Sequence, residues 1–203
     1  MMHETPLPPG YHPLPPGHLA NVVTCLEMTE RPPSRPVPPI EGLSLQRLGA
    51  GDAERFRALF RAIGRDIMWF SRLIMPEEKL VSIIGDPDVH CHVLVKDGED
   101  IGLLELDFRE EGQCELSFFG VVPSAVGSGA GRYLMNEALR RAWEKPISRL
   151  WVHTCNYDHP NALAFYQRSG FRPYQVMVEV HPDPRLTGHL PKDASPAVPL
   201  IGG

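Results

Sequence analysis

The sequence predicts a mixed α/β domain in which a mostly antiparallel central sheet is flanked by helices, in the order β-α-α-β-β-β-α-β-α-β. Three observations predict it. Of the 22 prolines in 203 residues, eleven lie in residues 1–39, six in 40–180 and five in 181–203, so the compact body is the middle. Proline fixes φ and donates no backbone hydrogen bond, so the dense ends oppose helices and central strands. Within the body, three β-prone runs follow on short connections, which suggests an antiparallel meander. A Gly-rich turn then leads from the third run into a helix, and strand and helix patterns alternate to the end of the body.

The elements are expected in this order. In the Pro-rich extension 1–39, Ala20–Met28 (ANVVTCLEM) is β-prone and alternating, too apolar for open water, and reads as an added edge strand or a dimer contact. The body, 40–180, opens with Gly42–Leu48 as a strand. Asp52 can cap a helix on which Ala53, Phe56, Phe60, Ile63 and Ile67 recur at helical spacing. Pro76, a favoured first-turn residue, opens a second helix with Leu80, Ile83 and Ile84 inward. The three β runs are His90–Lys96, Ile101–Phe108 and Cys114–Val122, the first two joined at Asp97-Gly98. A helix over Gly129–Glu144, a strand over Ser148–Thr154, a helix over Pro160–Ser169 ended by Gly170, and a strand over Tyr174–Val180 complete the body. Residues 181–203 read as a Pro-rich tail.

Composition excludes several classes of function. Apolar content is 42% and charged content 22%, ordinary for a soluble globular protein. A net charge of −5 argues against nucleic acid as a partner, because phosphate binding leans on clustered positive charge. No stretch approaches the roughly 18 apolar residues of a membrane span, and the first residues lack the pattern of a signal peptide. Cys25, Cys91, Cys114 and Cys155 are scattered without a CxxC pair and read as reduced thiols, so a cytoplasmic location is expected. His90-Cys91-His92 has no third ligand at metal spacing, so no metal site is expected.

The most informative stretch is Phe118–Leu134, FFGVVPSAVGSGAGRYL. Small residues at 127–131 let a ligand approach the main chain, and the following helix offers free N–H groups and a positive dipole end to phosphate. The glycines fall at 127, 129 and 131, so a GxGxxG fingerprint fails at Arg132, and no Gly-Lys-Ser/Thr follows for a P-loop. A structural Gly-rich turn is the alternative.

Here the chain resembles the GNAT superfamily of acetyl-CoA-dependent N-acetyltransferases. Val121-Val122-Pro123 is similar to the family's strand end. Gly129 and Gly131 match the two defining glycines of its Gln/Arg-x-x-Gly-x-Gly/Ala loop, with Val126 in place of Gln or Arg. A second match lies downstream at Ala162, Tyr166, Gly170 and Phe171, in the pattern Asn-x-x-Ala-x-x-x-Tyr-x-x-x-Gly-Phe, with His159 at the Asn position. The resemblance covers roughly Leu43 to Val180 and implies the GNAT-like fold. It implies acetyl-CoA as co-substrate, with main-chain groups of Gly127, Ser128, Gly129, Ala130, Gly131 and Arg132 around its pyrophosphate. Phe119, Gly120 and Val121 would pair with its pantetheine arm, and His159 would hydrogen-bond it or cap the helix before Pro160.

The implied chemistry is transfer of acetyl to a primary amine, on a small molecule or a protein, by direct attack on the thioester. A lysine-like amine has a pKa of about 10.4, so deprotonating it near pH 7 costs roughly 4–5 kcal/mol and a base is useful. Tyr166 matches the family's general acid for the departing thiolate. Glu115 stands eight residues before Pro123, where histone-acetylating members of the superfamily carry a catalytic Glu, and it is the base candidate; Glu105 is the fallback. Simple alternation puts Glu115, Ser117, Phe119 and Val121 on one face. Trp69, Phe70 and Arg72 fall where such proteins often form the acceptor wall, with core packing the competing role for the two aromatics. The competing functions are a non-catalytic acyl-CoA sensor on the same fold and an interaction protein built on the Pro-rich ends.

Overall fold

A computed structural model of the chain describes residues 7–202; the first six residues of the Pro-rich extension, and Gly203, lie outside the described residues. Seven strands form one sheet: β1 (His18–Met28), β2 (Leu43–Arg47), β3 (Val89–Lys96), β4 (Glu99–Asp107), β5 (Gln113–Val121), β6 (Arg149–Cys155) and β7 (Arg172–Pro182), in the order β2-β3-β4-β5-β6-β1-β7. All neighbouring pairs are antiparallel except β5 and β6. The helices are α1 (Ala53–Gly64), α2 (Ser71–Ile74), α3 (Glu77–Ile84), α4 (Ala130–Ala142) and α5 (Ala162–Arg168). This is the predicted mixed α/β architecture, with α2 as an added short turn. Among the described residues, no helix is long and apolar enough to cross a membrane.

Each face of the sheet buries its own core, because successive side chains on a strand point to opposite faces. Cys91, Val93 and Leu103 pack with Phe56, Phe60 and Ile63 of α1 and Leu80, Ile83 and Ile84 of α3. Leu104, Leu106 and Leu116 pack on the other face, with Leu134, Met135 and Ala138 of α4 and Tyr166 of α5. Asp52 does not cap α1 as expected. Its carboxylate turns back and accepts from the Gly49 N–H at 2.8 Å, closing the short 3₁₀ turn before the helix. The β3–β4 hairpin turns at Asp97 and Gly98, with φ of 52° and 88°, the two positive values that a tight hairpin requires.

The strand expected in the Pro-rich extension forms, but not at an edge and not as a free dimer contact. β1 lies between β6 and β7, pairing Val23–Met28 with Cys155–Leu150 on one side and His18–Glu27 with Pro182–Arg172 on the other. Val23, Cys25, Leu26 and Met28 are all buried, as suits a strand covered on both faces. From Met28 the chain returns as an extended strap. Pro32 lies against Gly170, the Arg35 carbonyl accepts from Asn136 Nδ2 at 2.7 Å, and Ile40 reaches Gly129. The residues read as a C-terminal tail are also folded. Asp183 and Arg185 form a buried ion pair at 2.7 Å, and Arg185 further donates to the carbonyls of Ala194, Val198 and Pro199. Leu190 and Ala194 then pack against Met68, beside Phe70 and Leu73.

Candidate active site

The site is built on β5, where the sheet opens. β5 and β6 pair only over Gln113↔Arg149, Cys114↔Leu150 and Glu115↔Trp151. Beyond Glu115 the two parallel strands part. Among the described residues, the β6-facing row of N–H and C=O groups on Leu116–Val121 therefore has no strand beside it, while the other row is paired with β4. Such a row is a template for an extended partner rich in amides. Phe119, Gly120 and Val121, the candidates for contacting a pantetheine arm, all lie on this open stretch. Gly120 has a packing reason as well: a Cβ there would stand 2.7 Å from Ile63 Cγ2 and 3.2 Å from Trp69.

A bulge overturns the simple alternation on β5. The register with β4 shifts from Glu105↔Phe118 to Leu106↔Leu116, leaving Ser117 as the extra residue. Glu115 therefore shares the α1–α3 face with Phe118, while Phe119 joins the α4–α5 core. The gap between β5 and β6 thus has Glu115 on one face and the aromatic cluster of Phe119 and Tyr166 on the other.

The Gly-rich turn leads from the end of β5 into α4. Gly127 and Gly129 take φ of 82° and 92°, which few other residues adopt, and Gly129 is the N-cap of α4. Ser128 closes the turn by donating from Oγ to the Ala125 carbonyl at 2.7 Å and accepting from the Ala130 N–H at 3.3 Å. A Cβ built on Gly127 or Gly131 would meet nothing within 4 Å, so the main chain there faces open space. An open turn with helix N–H groups beside it fits a pyrophosphate. Val126 is exposed and offers no side-chain donor. Arg132 is turned away: it donates to Ser169 Oγ at 2.9 Å and lies 4.5 Å over the Phe165 ring, tying α4 to α5.

On α5, the Tyr166 ring stands edge-on to Phe119, Phe165 and Phe171 at centroid distances of 6.2, 6.0 and 5.8 Å. Burial, and then the charge of Asp158, push its phenol well above the usual range, so the proton stays on. Asp158 is held by Thr154 Oγ1 at 2.6 Å and the Cys155 N–H at 2.9 Å. His159 is exposed, and its Nδ1 accepts from the Asn161 N–H at 3.2 Å, which caps the turn before α5.

On the opposite face, Glu115 lines a depression of about 430 Å³ with Asp107, Arg109, Glu110 and Trp151. Burial raises its pKa first, the charges of Asp107 and Glu105 add to this, and the value is pushed up to about 7. His153 Nδ1 lies 3.7 Å from its carboxylate. Glu105, the fallback base, is fully buried and engaged by Arg72, with Cys91 Sγ at 3.8 Å. Trp69 packs edge-on to Phe118 at 5.2 Å and Arg72 lies 4.8 Å over the same ring, whereas Phe70 sits apart against His181. Sequence reasoning missed Asp107, Trp151 and His153. The alternation of Leu150, Val152 and Thr154 with Trp151 and His153 separates two faces of β6, but only the sheet order shows which one meets Glu115.

The model of the acetyltransferase (GNAT) family matches residues 57–171, which hold the open strand, the Gly-rich turn and α5. No curated protein matches the chain. Among solved structures it is similar to a GCN5-related N-acetyltransferase from Sphaerobacter thermophilus, with a TM-score of 0.61 and 18% identity over 81% of this chain and 53% of that one. It is also similar to a conserved protein of unknown function from Staphylococcus epidermidis, with a TM-score of 0.57 and 13% identity over 82% and 63% of the two chains. An aminoglycoside acetyltransferase from an uncultured soil metagenomic sample gives 0.53 and 19% over 64% and 88%. The chain spans less than two thirds of the first two structures. These likenesses concern the fold, whereas the family match covers more than half of the sequence. The chain belongs to the GNAT acetyltransferase family.

Proposed function

We propose that this protein transfers the acetyl group of acetyl-CoA to a primary amine, with Glu115 as general base and Tyr166 as general acid. The observation that carries this reading is the opening between β5 and β6. It leaves one row of backbone groups free to align a thioester, with a carboxylate on one face and a buried phenol on the other. The amine nitrogen attacks the thioester carbonyl, a C–N bond forms and the C–S bond breaks. Glu115 first takes one proton from the ammonium, directly or through water; the departing thiolate takes the Tyr166 proton, and the second nitrogen proton, lost as the amide forms, restores it.

The acceptor side suits a cation. Asp107, Glu110 and Glu115 line it, and the arginine among its lining residues, Arg109, is already bonded to Asp107. We place the acceptor among small-molecule or protein amines and the protein in the cytoplasm, in keeping with four free cysteines of which three are buried. The acyl-CoA sensor is the second reading. Val126 and the capping role of His159 favour it, and release of free CoA thiol across a panel of amines decides against it.

Two results test the assignments. Glu115 acts as a base only when ionised, so kcat/KM is expected to rise with pH through an apparent pKa near 7, the value to which its surroundings push it. In Glu115→Gln the rate falls about 10²-fold or more and that limb disappears; an unchanged profile assigns the base elsewhere. A raised carboxylate pKa also makes the folded state bind a proton that the unfolded chain has lost. Stability relative to Glu115→Gln is therefore expected to fall between about pH 4.5 and 7. Separately, Gly129→Glu places bulk and negative charge in the turn at a φ of 92°, and is expected to abolish acetyl-CoA binding by isothermal titration. A folded variant with wild-type affinity would sink the cradle.

A further inference from the structure

The strap between β1 and β2 does more than connect them. It leaves β1 at Met28, passes Gly170 at the end of α5, runs beside α4 and finishes at the Gly-rich turn. Pro32 lies 3.2 Å from an ideal Gly170 Cβ, and Ile40 Cδ1 lies 3.4 Å from that of Gly129. Between these two anchors the Arg35 carbonyl is fixed by Asn136 Nδ2. Asn136 is six residues past the first residue of α4, about 9 Å along the axis, so Arg35 is held roughly that far from the cradle. Prolines at 32, 33, 36, 38 and 39 stiffen the segment, so little conformational freedom is lost in holding it there.

This path brings a guanidinium to two others. Arg132 is fixed by Ser169 Oγ and the Phe165 face, and Arg168 is the residue next to Ser169. Asn136, which holds the Arg35 carbonyl, is four residues past Arg132 and so on the same face of α4, and the charges of Arg35 and Arg168 bear on Arg132 there, so the three share one locality. Among the described residues none of them has a carboxylate within ion-pair distance. Like charges gathered without a counter-ion repel, and a phosphate dianion is the group that guanidinium forks match best. The main chain of the Gly-rich turn already suits one phosphate group, the pyrophosphate. A second phosphate held further along α4 is what coenzyme A carries on its ribose.

We propose that Arg35, with Arg168 and Arg132, binds the ribose 3′-phosphate of coenzyme A, so that the Pro-rich strap is part of the coenzyme site. The proposal rests on the acetyl-CoA reading above. Its test is isothermal titration of CoA and of 3′-dephospho-CoA against wild type, Arg35→Ala and Arg35→Lys. The Arg35 side chain is exposed and its carbonyl contact survives substitution, so the variants should melt with the wild type.

Wild type is expected to prefer CoA over the dephospho form by about tenfold or more, as one or more charge-assisted hydrogen bonds allow. In Arg35→Ala that preference drops to about two- to threefold because CoA binding weakens, while binding of the dephospho form stays near wild type. Arg35→Lys keeps the charge but not the fork and falls between them. Equal binding of the two ligands by wild type overturns the proposal. So does an Arg35→Ala variant that weakens both ligands by the same factor, because that marks the strap as a purely structural support. A wild type that binds neither ligand overturns the coenzyme reading itself.

Discussion

Tyr166→Phe is expected to lower turnover by about 10²–10⁴-fold while leaving acetyl-CoA affinity nearly unchanged. The substitution deletes one oxygen and keeps the ring, so the edge-on contacts to Phe119, Phe165 and Phe171 persist and α5 stays docked. What is lost is the only proton donor this aromatic cluster brings to the open side of β5. Because burial holds the phenol in its neutral, protonated form, it keeps its proton to donate through the range in which Glu115 ionises. The measurement is thiol release under single-turnover conditions, which separates the chemical step from product release. A variant that retains wild-type single-turnover rates, with titrated affinity intact, removes Tyr166 from the chemistry.

Most of the sheet and helices was legible because each carries its own local signal. Phe56, Phe60 and Ile63 recur at helical spacing on α1, and Asp97-Gly98 forms the hairpin turn that the dipeptide suggests. Gly129 and Gly131 mark the strand-to-helix turn at the head of α4. What was not legible depends on contacts between distant segments. The bulge at Ser117 has no marker in the sequence CELSFFG, since Ser fits either a pleat or a bulge, yet it decides that Glu115 and Phe119 point to opposite faces. Trp151 and His153 read as ordinary alternating residues until β6 is placed beside β5. Asp at this position suits either a helix cap or a turn, and the Asp52 carboxylate closes the turn before α1 by accepting from Gly49. The place of β1 was hidden for a related reason: α5 joins β6 to β7, and nothing local says that a strand from the other end of the chain separates them.

That separation matters to the site as well as to the sheet. β6 is fixed on one side by only three residue pairs with β5, so most of its register comes from β1, which pairs with six of its residues. The position of Trp151 and His153 opposite Glu115 therefore depends on a strand more than 80 residues before Glu115 in the chain. Arg149 carries the same coupling through a side chain, donating from Nε to Glu27 of β1 at 2.6 Å and from Nη1 to Gln113 of β5 at 2.8 Å.

Deleting residues 1–39 is accordingly expected to leave an unfolded or aggregated chain rather than a minimal acetyltransferase. Val23, Cys25, Leu26 and Met28 are 4%, 2%, 0% and 5% exposed, and burial contributes about 1.5–3 kcal/mol for each of Val23, Leu26 and Met28 and less for the smaller Cys25. Four of them are comparable to the whole stability of a typical domain, about 5–15 kcal/mol. Among the described residues β1 is the only strand beside β7, so removing it strips β7 of that partner and leaves the β1-facing backbone groups of β6 unpaired. Leu26→Ala is the graded version: it keeps the backbone ladder and opens a cavity in the α4–α5 core, for an expected loss of about 2–5 kcal/mol. Circular dichroism melts and urea titrations of the full chain, the truncated chain and Leu26→Ala measure both effects. A truncated protein that melts cooperatively at the full-length temperature, together with a neutral Leu26→Ala, would remove β1 from the interior of the sheet.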